Sequence, residues 1–268
     1  MKRLATAAVL LPLVIIFILK SSPFQFALLV ALLALLGLDE FYRMTLPGRR
    51  GEGWLAAICG AASVFTVFAT NPILPLFALT GLVLLFTLIA LFRLQDIKQA
   101  APDIALVLMG FLYVPLLLSH LVLVRMQPHG VAWLFLIMVI VMAGDSAAYY
   151  VGSTIGKHRI YPAVSPKKSV EGSIGGLAGS IIGALIARAT FFPELAIADC
   201  VATALIFGVL GQLGDLFESL IKRSCGVKDS GVIFPGHGGV LDRLDSILFA
   251  APAAFYYSWF FFKGCCGG

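Results

Sequence analysis

The sequence predicts an all-α protein that crosses a lipid bilayer many times. Of its 268 residues, 60% are hydrophobic and only 12% are charged, and the mean hydropathy is +1.00. This apolar content lies far above that of soluble globular chains. Apolar runs of about 17 to 25 residues, each long enough for a membrane-spanning helix, follow one another along the chain. They leave no room for a soluble domain between them.

Nine of these runs are predicted to span the membrane, and they cover roughly residues 4–20, 24–40, 54–70, 73–92, 104–124, 131–151, 173–191, 196–221 and 241–262. The first resembles a secretion signal, but without a small-residue cleavage site we expect it to remain a helix. With a cytoplasmic N-terminus, 15 of the 19 basic residues fall inside and four (Lys20, Arg125, Arg188 and Lys263) fall outside. The positive-inside rule therefore predicts an N-terminus inside and a C-terminus outside.

The net charge of +5 and the pI near 9.0 follow mostly from this topology. We therefore expect membrane lipids as partners and no nucleic acid. The five cysteines show neither CxxC pairing nor metal-ligand spacing, so we expect no disulfide framework. The GCCGG tail at 264–268 is interpreted as an unstructured end.

Polarity divides the chain near residue 140. Residues 1–140 are read as holding almost no polar group within the predicted spans, and we interpret them as a transmembrane scaffold. Residues 141–263 form the predicted catalytic region, with cytoplasmic loops at 152–172 and 222–240. Its seventh span repeats glycine at four-residue spacing, as at Gly175, Gly179 and Gly183. This spacing lets a second helix approach closely.

Four aspartates stand at the inner ends of three predicted helices, and they are Asp145, Asp215, Asp242 and Asp245. Converging carboxylates repel one another unless a cation lies among them, and oxygen ligands suit Mg²⁺. The alternative is that each acid pairs with a basic neighbour, such as Asp242 with Arg243 or Arg223. Such pairing is expected for one of them but is less favoured for all four, because unmet charge in a membrane is costly.

Basic residues and glycines form three groups on the same predicted side. The first is Lys157, Arg159, Lys167 and Lys168; the second is Lys222, Arg223 and Lys228; the third is the PGHGG turn at 235–239. For Lys157 and Arg159, a role in membrane topology or in contacts with anionic lipid headgroups is favoured as much as a role in binding phosphate. Ser169 or Ser173 can cap the next helix, and a helix N-terminus beside lysines is suited to anions. A glycine-rich turn offers backbone N–H groups to phosphate, and His237 can donate to phosphate or act as acid or base.

Residues 219–245 resemble the signature of the phosphatidate cytidylyltransferases, also called CDP-diacylglycerol synthases. The residues that carry the resemblance are Ser219, Ile221, Lys222, Arg223, Lys228, Asp229, Gly231, Phe234, Pro235, His237, Gly238, Gly239, Val240, Asp242, Arg243, Leu244 and Asp245. The SPKKSVEG segment and the surroundings of Asp145 resemble the same family. Ser153 departs from it, because a basic residue is expected there.

The resemblance implies that CTP and phosphatidate react to give CDP-diacylglycerol and pyrophosphate. It also implies magnesium, which we assign to Asp215 and Asp242 with Asp145 and Asp245 as further ligands, and so many carboxylates leave room for a second cation. We assign catalytic roles to Lys167, Lys168, Lys222, Arg223, Lys228, His237 and Arg243, and nucleotide binding to Ser165, Gly238 and Gly239. The resemblance covers the overall reaction. It implies an active site on the cytoplasmic side of the inner membrane, and it is compatible with a homodimer.

Two other functions stay open at this point. A CTP-dependent lipid kinase would transfer the γ-phosphate to a lipid alcohol and would need a base for the hydroxyl proton. An ion-coupled transporter would also place acids within the membrane, but near its middle and commonly within inverted repeats. No full internal repeat is found in the sequence.

Overall fold

The structure is a computed structural model, and it describes residues 12–69, 71, 73–93, 97–233 and 238–262. The described helices are α1 (Pro23–Thr45), α2 (Arg50–Ser63), α3 (Ile73–Arg93), α4 (Ile97–Phe111), α5 (Leu117–Met126), α6 (Gly130–Ile155), α7 (Val170–Thr190), α8 (Ile197–Ser224) and α9 (Leu241–Phe260). Residues 12–20 of the predicted first span are also helical. His237 and the 264–268 tail lie outside the described residues.

Seven segments within the described ranges are long and apolar enough to cross a membrane. They are Pro23–Thr45, Arg50–Phe68, Ile73–Phe92, Ile97–Met126, Gly130–Ile155, Val170–Thr190 and Ile197–Ser224. The prediction of an all-α, multi-pass membrane protein is thereby confirmed. The helix at the predicted ninth span, α9, is not among the seven, and Asp242, Arg243 and Asp245 make its first two turns polar.

Two short strands lie in the predicted loop at 152–172, where the sequence interpretation expected none. β1 (Arg159–Tyr161) and β2 (Ser165–Ser169) pair antiparallel, with Arg159 opposite Ser169. Ser169 then caps α7, since its Oγ accepts a hydrogen bond from the Gly172 N–H at 3.1 Å. Of the two predicted capping serines, the structure selects Ser169. Glu171 braces the loop by accepting from the backbone N–H groups of Lys157 and His158.

The chain forms two compact units. The first unit holds residues 1–122 together with 229–241, and the second holds 123–228 together with 242–268. In the first unit, α4 and α5 are joined by a π-helical turn, Leu112–Leu116, that contains Pro115. Tyr42 on α1 donates from its hydroxyl to the Val107 carbonyl at 2.8 Å, which ties α1 to α4.

In the second unit, small residues let α6 and α7 pack closely, as predicted. A side chain at Gly179 would collide with Ala143 and Ala147 of α6. Ser180 donates from Oγ to the Ile140 carbonyl at 3.1 Å across the same contact. Helix α8 is fixed to α7 by a bond from Gln212 Nε2 to the Ser173 carbonyl at 3.1 Å. These contacts hold together α6, which carries Asp145, α7, which directly follows Lys168, and α8, which carries Asp215.

Candidate active site

A buried lysine lies between two acids in the second unit. Lys222 is 8% exposed, and its Nζ lies 2.5 Å from Glu218 Oε2 and 2.5 Å from Asp242 Oδ1. Glu218 and Lys222 stand four residues apart on α8, and Asp242 stands in the first turn of α9. The sequence had offered Arg243 or Arg223 as partners for Asp242. In the described structure Lys222, a third basic neighbour, contacts Asp242 across α8 and α9.

A second ion pair joins the hairpin to α8. Lys168, on β2, places its Nζ 2.7 Å from Asp215 Oδ2, and both side chains are about one-third exposed or less. Gly214 permits α9 to pass close to this point, since a Cβ there would collide with the backbone carbonyl of Asp245. The close approach of α9 therefore brings Asp245 toward Asp215.

The remaining predicted carboxylates belong to the same electrostatic network. Asp145 on α6 interacts with the charges of Asp215, Lys168 and Arg243. Asp245 interacts with Asp215, Asp145 and Lys222. The sequence interpretation that acids from three helices converge is supported for Asp145, Asp215 and Asp245. Asp242 joins them through Lys222.

Carboxylate oxygens are concentrated in this network. The carboxylates are Asp145, Asp215, Glu218, Asp242 and Asp245, and the cationic side chains Lys168, Lys222 and Arg243 interact with them. In addition, Glu218 Oε1 is buried and has no hydrogen-bond partner within the described ranges. Oxygen donors of this kind are the ligands that a hard divalent cation prefers, so the donor set fits such an ion in ligand chemistry.

The described side chains do not, however, form a ready-made metal cage. Across the described ranges, no three His, Cys, Asp or Glu side chains lie close enough together to hold an ion by themselves. Magnesium commonly binds through one or two carboxylates and completes its shell with waters and substrate phosphates. The arrangement therefore suits a cation that arrives with a phosphate ligand better than a permanently caged one.

The other predicted cations take different positions. Lys167 on β2 and Lys228 after α8 are exposed, and so is Arg243 on α9. Arg223 donates to two backbone carbonyls, that of Val164 at 3.4 Å and that of Val227 at 3.2 Å. Arg223 thus fastens the hairpin turn to the end of α8, a structural contact that the sequence interpretation did not foresee.

The glycine-rich segment comprises residues 230–241 and contains the PGHGG turn, and the structure describes its residues 230–233 and 238–241. The segment belongs to the first unit. Gly238 has a φ of 83°, a left-handed conformation that favours glycine. Gly239 lies against Glu40, and Glu40 also binds Ser230 at the start of the segment. His237, which was predicted to act on phosphate, lies outside the described residues.

Glu40 is the residue that the sequence interpretation missed. It lies on α1 and is 2% exposed, in the half of the chain that was read as nearly free of polar groups. That reading was wrong, because Asp39 and Glu40 are both buried within Pro23–Thr45. An acid inside a spanning helix is a signal of function, and this signal was available in the sequence.

Comparison with known proteins agrees with the geometry. The sequence profile described as the cytidylyltransferase family matches residues 1–261. The chain belongs to this family. It is 30% identical to a phosphatidate cytidylyltransferase of Bacillus subtilis over 266 residues, which cover 96% of this chain and 97% of that protein. It is 31% identical to one of Staphylococcus aureus over 253 residues, covering 94% and 96% of the two chains.

In this cytidylyltransferase, the residues of the signature divide between the two units. Residues 219–228 lie in the second unit, residues 229–241 lie in the first, and residues 242–245 lie in the second again. A relative from Staphylococcus saprophyticus, also a phosphatidate cytidylyltransferase, is 37% identical over 179 residues, covering 66% of this chain and 65% of its own. The predicted family membership is thus confirmed.

Proposed function

We propose that this chain transfers the cytidylyl group of CTP to phosphatidate, giving CDP-diacylglycerol and pyrophosphate. The observation that carries the proposal is the relationship, over nearly the whole chain, to phosphatidate cytidylyltransferases. The charged network on membrane helices is consistent with it, since phosphoryl-type transfer requires mainly positioning and charge neutralisation.

The proposed chemistry is a single displacement at phosphorus. A phosphate oxygen of phosphatidate attacks the α-phosphorus of CTP and forms a new P–O bond. The bond between the α-phosphorus and the bridging oxygen breaks, and its electron pair leaves with pyrophosphate. Because the attacking oxygen already carries negative charge, the step needs no strong base. The protein therefore has to bring several negative groups together and hold them in line.

We assign Mg²⁺ to Asp145, Asp215, Asp242 and Asp245, which supply carboxylate oxygens to one network. When bound, the ion neutralises charge on the transferring phosphates. The chain's own cations supply the rest: Lys168, Lys222 and Arg243 from within the network, and Lys167, Lys228 and Arg223 from exposed positions. Ser165, His237, Gly238 and Gly239 keep their predicted roles at the nucleotide. A second cation stays a prediction.

The proposal includes a topology. Nine spans with a cytoplasmic N-terminus place the loops at 152–172 and 222–240 in the cytoplasm, where CTP is available, and phosphatidate enters from the inner membrane. The distribution of basic residues supports this arrangement. Cysteine labelling of residues in these loops in sealed vesicles tests it. A homodimer stays a prediction that size measurement in detergent tests.

The reaction is tested with purified protein in detergent, phosphatidate, and CTP labelled on either the α- or the γ-phosphate. We expect the α-label in a CDP-lipid and the γ-label in pyrophosphate, both only with Mg²⁺ present. Transfer of the γ-label to lipid would identify a lipid kinase. Absence of any CTP cleavage would leave transport as the better explanation.

Two variants test the network within the same assay. We expect Asp215→Asn and Asp242→Asn to abolish turnover while the protein still folds. Asp199→Asn is the matched control, because Asp199 lies on α8 as well but accepts from the Tyr257 hydroxyl at 2.7 Å, outside the network. Normal turnover in both network variants would end the assignment of these carboxylates to the metal.

A further inference from the structure

A single buried carboxylate on α1 binds both ends of the glycine-rich segment. Glu40 accepts through Oε2 from the Ser230 hydroxyl at 3.0 Å and from the Leu241 N–H at 3.0 Å. Its Oε1 accepts from the Val240 N–H at 2.9 Å. All four residues lie in the first compact unit. One side chain therefore fixes the spacing between residues 230 and 240.

The glycines of the segment make this contact possible. A Cβ at Gly231 would collide with Oε1 of Glu40, and a Cβ at Gly239 would collide with Oε2 and with the Ser230 hydroxyl. Only residues without a side chain let the backbone pass so close to the carboxylate. Two glycines of the family signature are thus explained by a residue about 190 positions earlier in the chain.

The hydrogen bonds also explain why an acid is tolerated there. A buried carboxylate costs several kcal/mol unless its oxygens are satisfied. Two backbone N–H groups and one hydroxyl donate to Glu40. Hydrogen bonds to a carboxylate are about twice as strong as hydrogen bonds between neutral groups. Leu241 is the first residue of α9, so Glu40 also satisfies an N–H that the helix itself leaves unpaired.

We propose that Glu40 is a positioning residue for cytidylyl transfer, which holds Gly238 and Gly239 in the conformation that binds the CTP phosphates. The inference rests on the proposed function. Glu40 is nearly inaccessible, so it acts through the segment and does not touch the substrate. The residue that fixes this backbone conformation, Glu40, therefore lies outside the family signature at 219–245.

The test compares Glu40→Gln with Asp39→Asn, its neighbour on α1, which pairs with Arg43. Glutamine keeps the shape of the side chain but presents an NH₂ group to a hydrogen-bond donor. We expect the KM for CTP to rise on the order of tenfold, because a bond to a charged group is lost. The KM for phosphatidate should change little, whereas the melting temperature should fall together with the rise in the KM for CTP, because glutamine leaves a buried donor unsatisfied. Asp39→Asn should leave the KM for CTP unchanged.

A second variant keeps the proposal testable if Glu40→Gln does not fold. Ser230→Ala removes one donor and leaves the carboxylate in place, so we expect a smaller rise in the KM for CTP, about threefold. Equal losses in the use of both substrates, or a fall in melting temperature with an unchanged KM for CTP, would overturn the positioning role. If the wild-type protein forms no CDP-lipid, the proposed function fails first, and the two failures are thereby distinguished.

Discussion

Two buried glutamates in the two units satisfy their charge in opposite ways. Glu40 is 2% exposed and Glu218 is 1% exposed, and each lies on a helix that can span the membrane. Glu40 receives hydrogen bonds from two backbone N–H groups and one hydroxyl, all electrically neutral. Glu218 receives the ammonium group of Lys222, which also contacts Asp242. The donors to Glu40 are two backbone groups and one hydroxyl, whereas the donor to Glu218 is a charged side chain.

This difference distinguishes a site that fixes a backbone conformation from a site that is suited to bind ligands. Backbone donors cannot leave Glu40 without moving the chain, so that site fixes the conformation of the 229–241 segment. Lys222 has a long flexible side chain with three donors, and it can exchange one carboxylate for a phosphate oxygen. Glu218 also keeps one buried oxygen without a hydrogen-bond partner in the described part of the chain. The environment of Glu218 is therefore suited to take up cations and phosphates.

The largest expected effect comes from removing the charge between the two acids. Lys222→Met leaves Glu218 and Asp242 buried together without their shared cation. We expect loss of turnover and destabilisation of about 3 to 5 kcal/mol, the usual result of removing one partner of a buried pair. A thermal-shift assay in detergent measures the stability and the labelled-CTP assay measures turnover.

Lys228→Met is the matched control for stability. It removes the same side chain at an exposed position after α8, so the melting temperature should stay near that of the wild type. If Lys222→Met melts like Lys228→Met, then Lys222 does not neutralise the two acids in the folded protein. The contrast with Glu40 would then be lost.

The sequence predicted the membrane architecture because hydropathy and helix length are local properties. Within the described ranges the helices overlap the predicted spans, but seven segments rather than nine are long and apolar enough to cross a membrane. Helices α1, α2, α4, α6 and α8 extend beyond the predicted bounds. Close packing at Gly179 was predictable from spacing alone. The hairpin at 159–169 was not, since its strands are only 3 and 5 residues long and carry no clear alternation.

The proximity of acids from three helices was predictable from the sequence, but their ion pairs were not. Acids from α6, α8 and α9 do share one network, as the level of Asp145, Asp215 and Asp245 in the predicted spans indicated. The choice of Lys222 as the partner of Asp242 depends on how α8 and α9 pack, which spacing along the chain does not determine. The role of Glu40 depends on a contact between residues about 200 positions apart, which no local pattern reports.

A smaller effect is expected from adding one methyl group beside Glu40. In Gly239→Ala the new Cβ collides with the Glu40 carboxylate and the Ser230 hydroxyl. Overpacking of this kind typically costs about 1 to 3 kcal/mol. We also expect the KM for CTP to rise, as in Glu40→Gln, because the same contact is disturbed. The thermal-shift assay measures the stability, and the labelled-CTP assay measures the KM for CTP.

Gly81→Ala supplies the comparison for this substitution. Gly81 lies within α3, and a Cβ there meets no atom within 4 Å. Alanine should therefore leave stability unchanged or raise it by up to about 1 kcal/mol through helix propensity. An identical response of the two variants would mean that Glu40 and Gly239 are not in contact in the protein.

The smallest expected effect tests whether a stabilising contact and a substrate-binding contact can be distinguished even between adjacent residues. Ser169 caps α7 with a neutral hydrogen bond, while the preceding Lys168 pairs with Asp215. Ser169→Ala should destabilise by about 1 kcal/mol through loss of the cap, and the KM for CTP should not change. Ser173→Ala, one turn later, should be silent in both measurements, because Ser169 provides the cap. If Ser169→Ala raised the KM for CTP, neutral contacts in the second unit would also position substrate. The distinction drawn from Glu40 and Glu218 would then not extend to this hairpin.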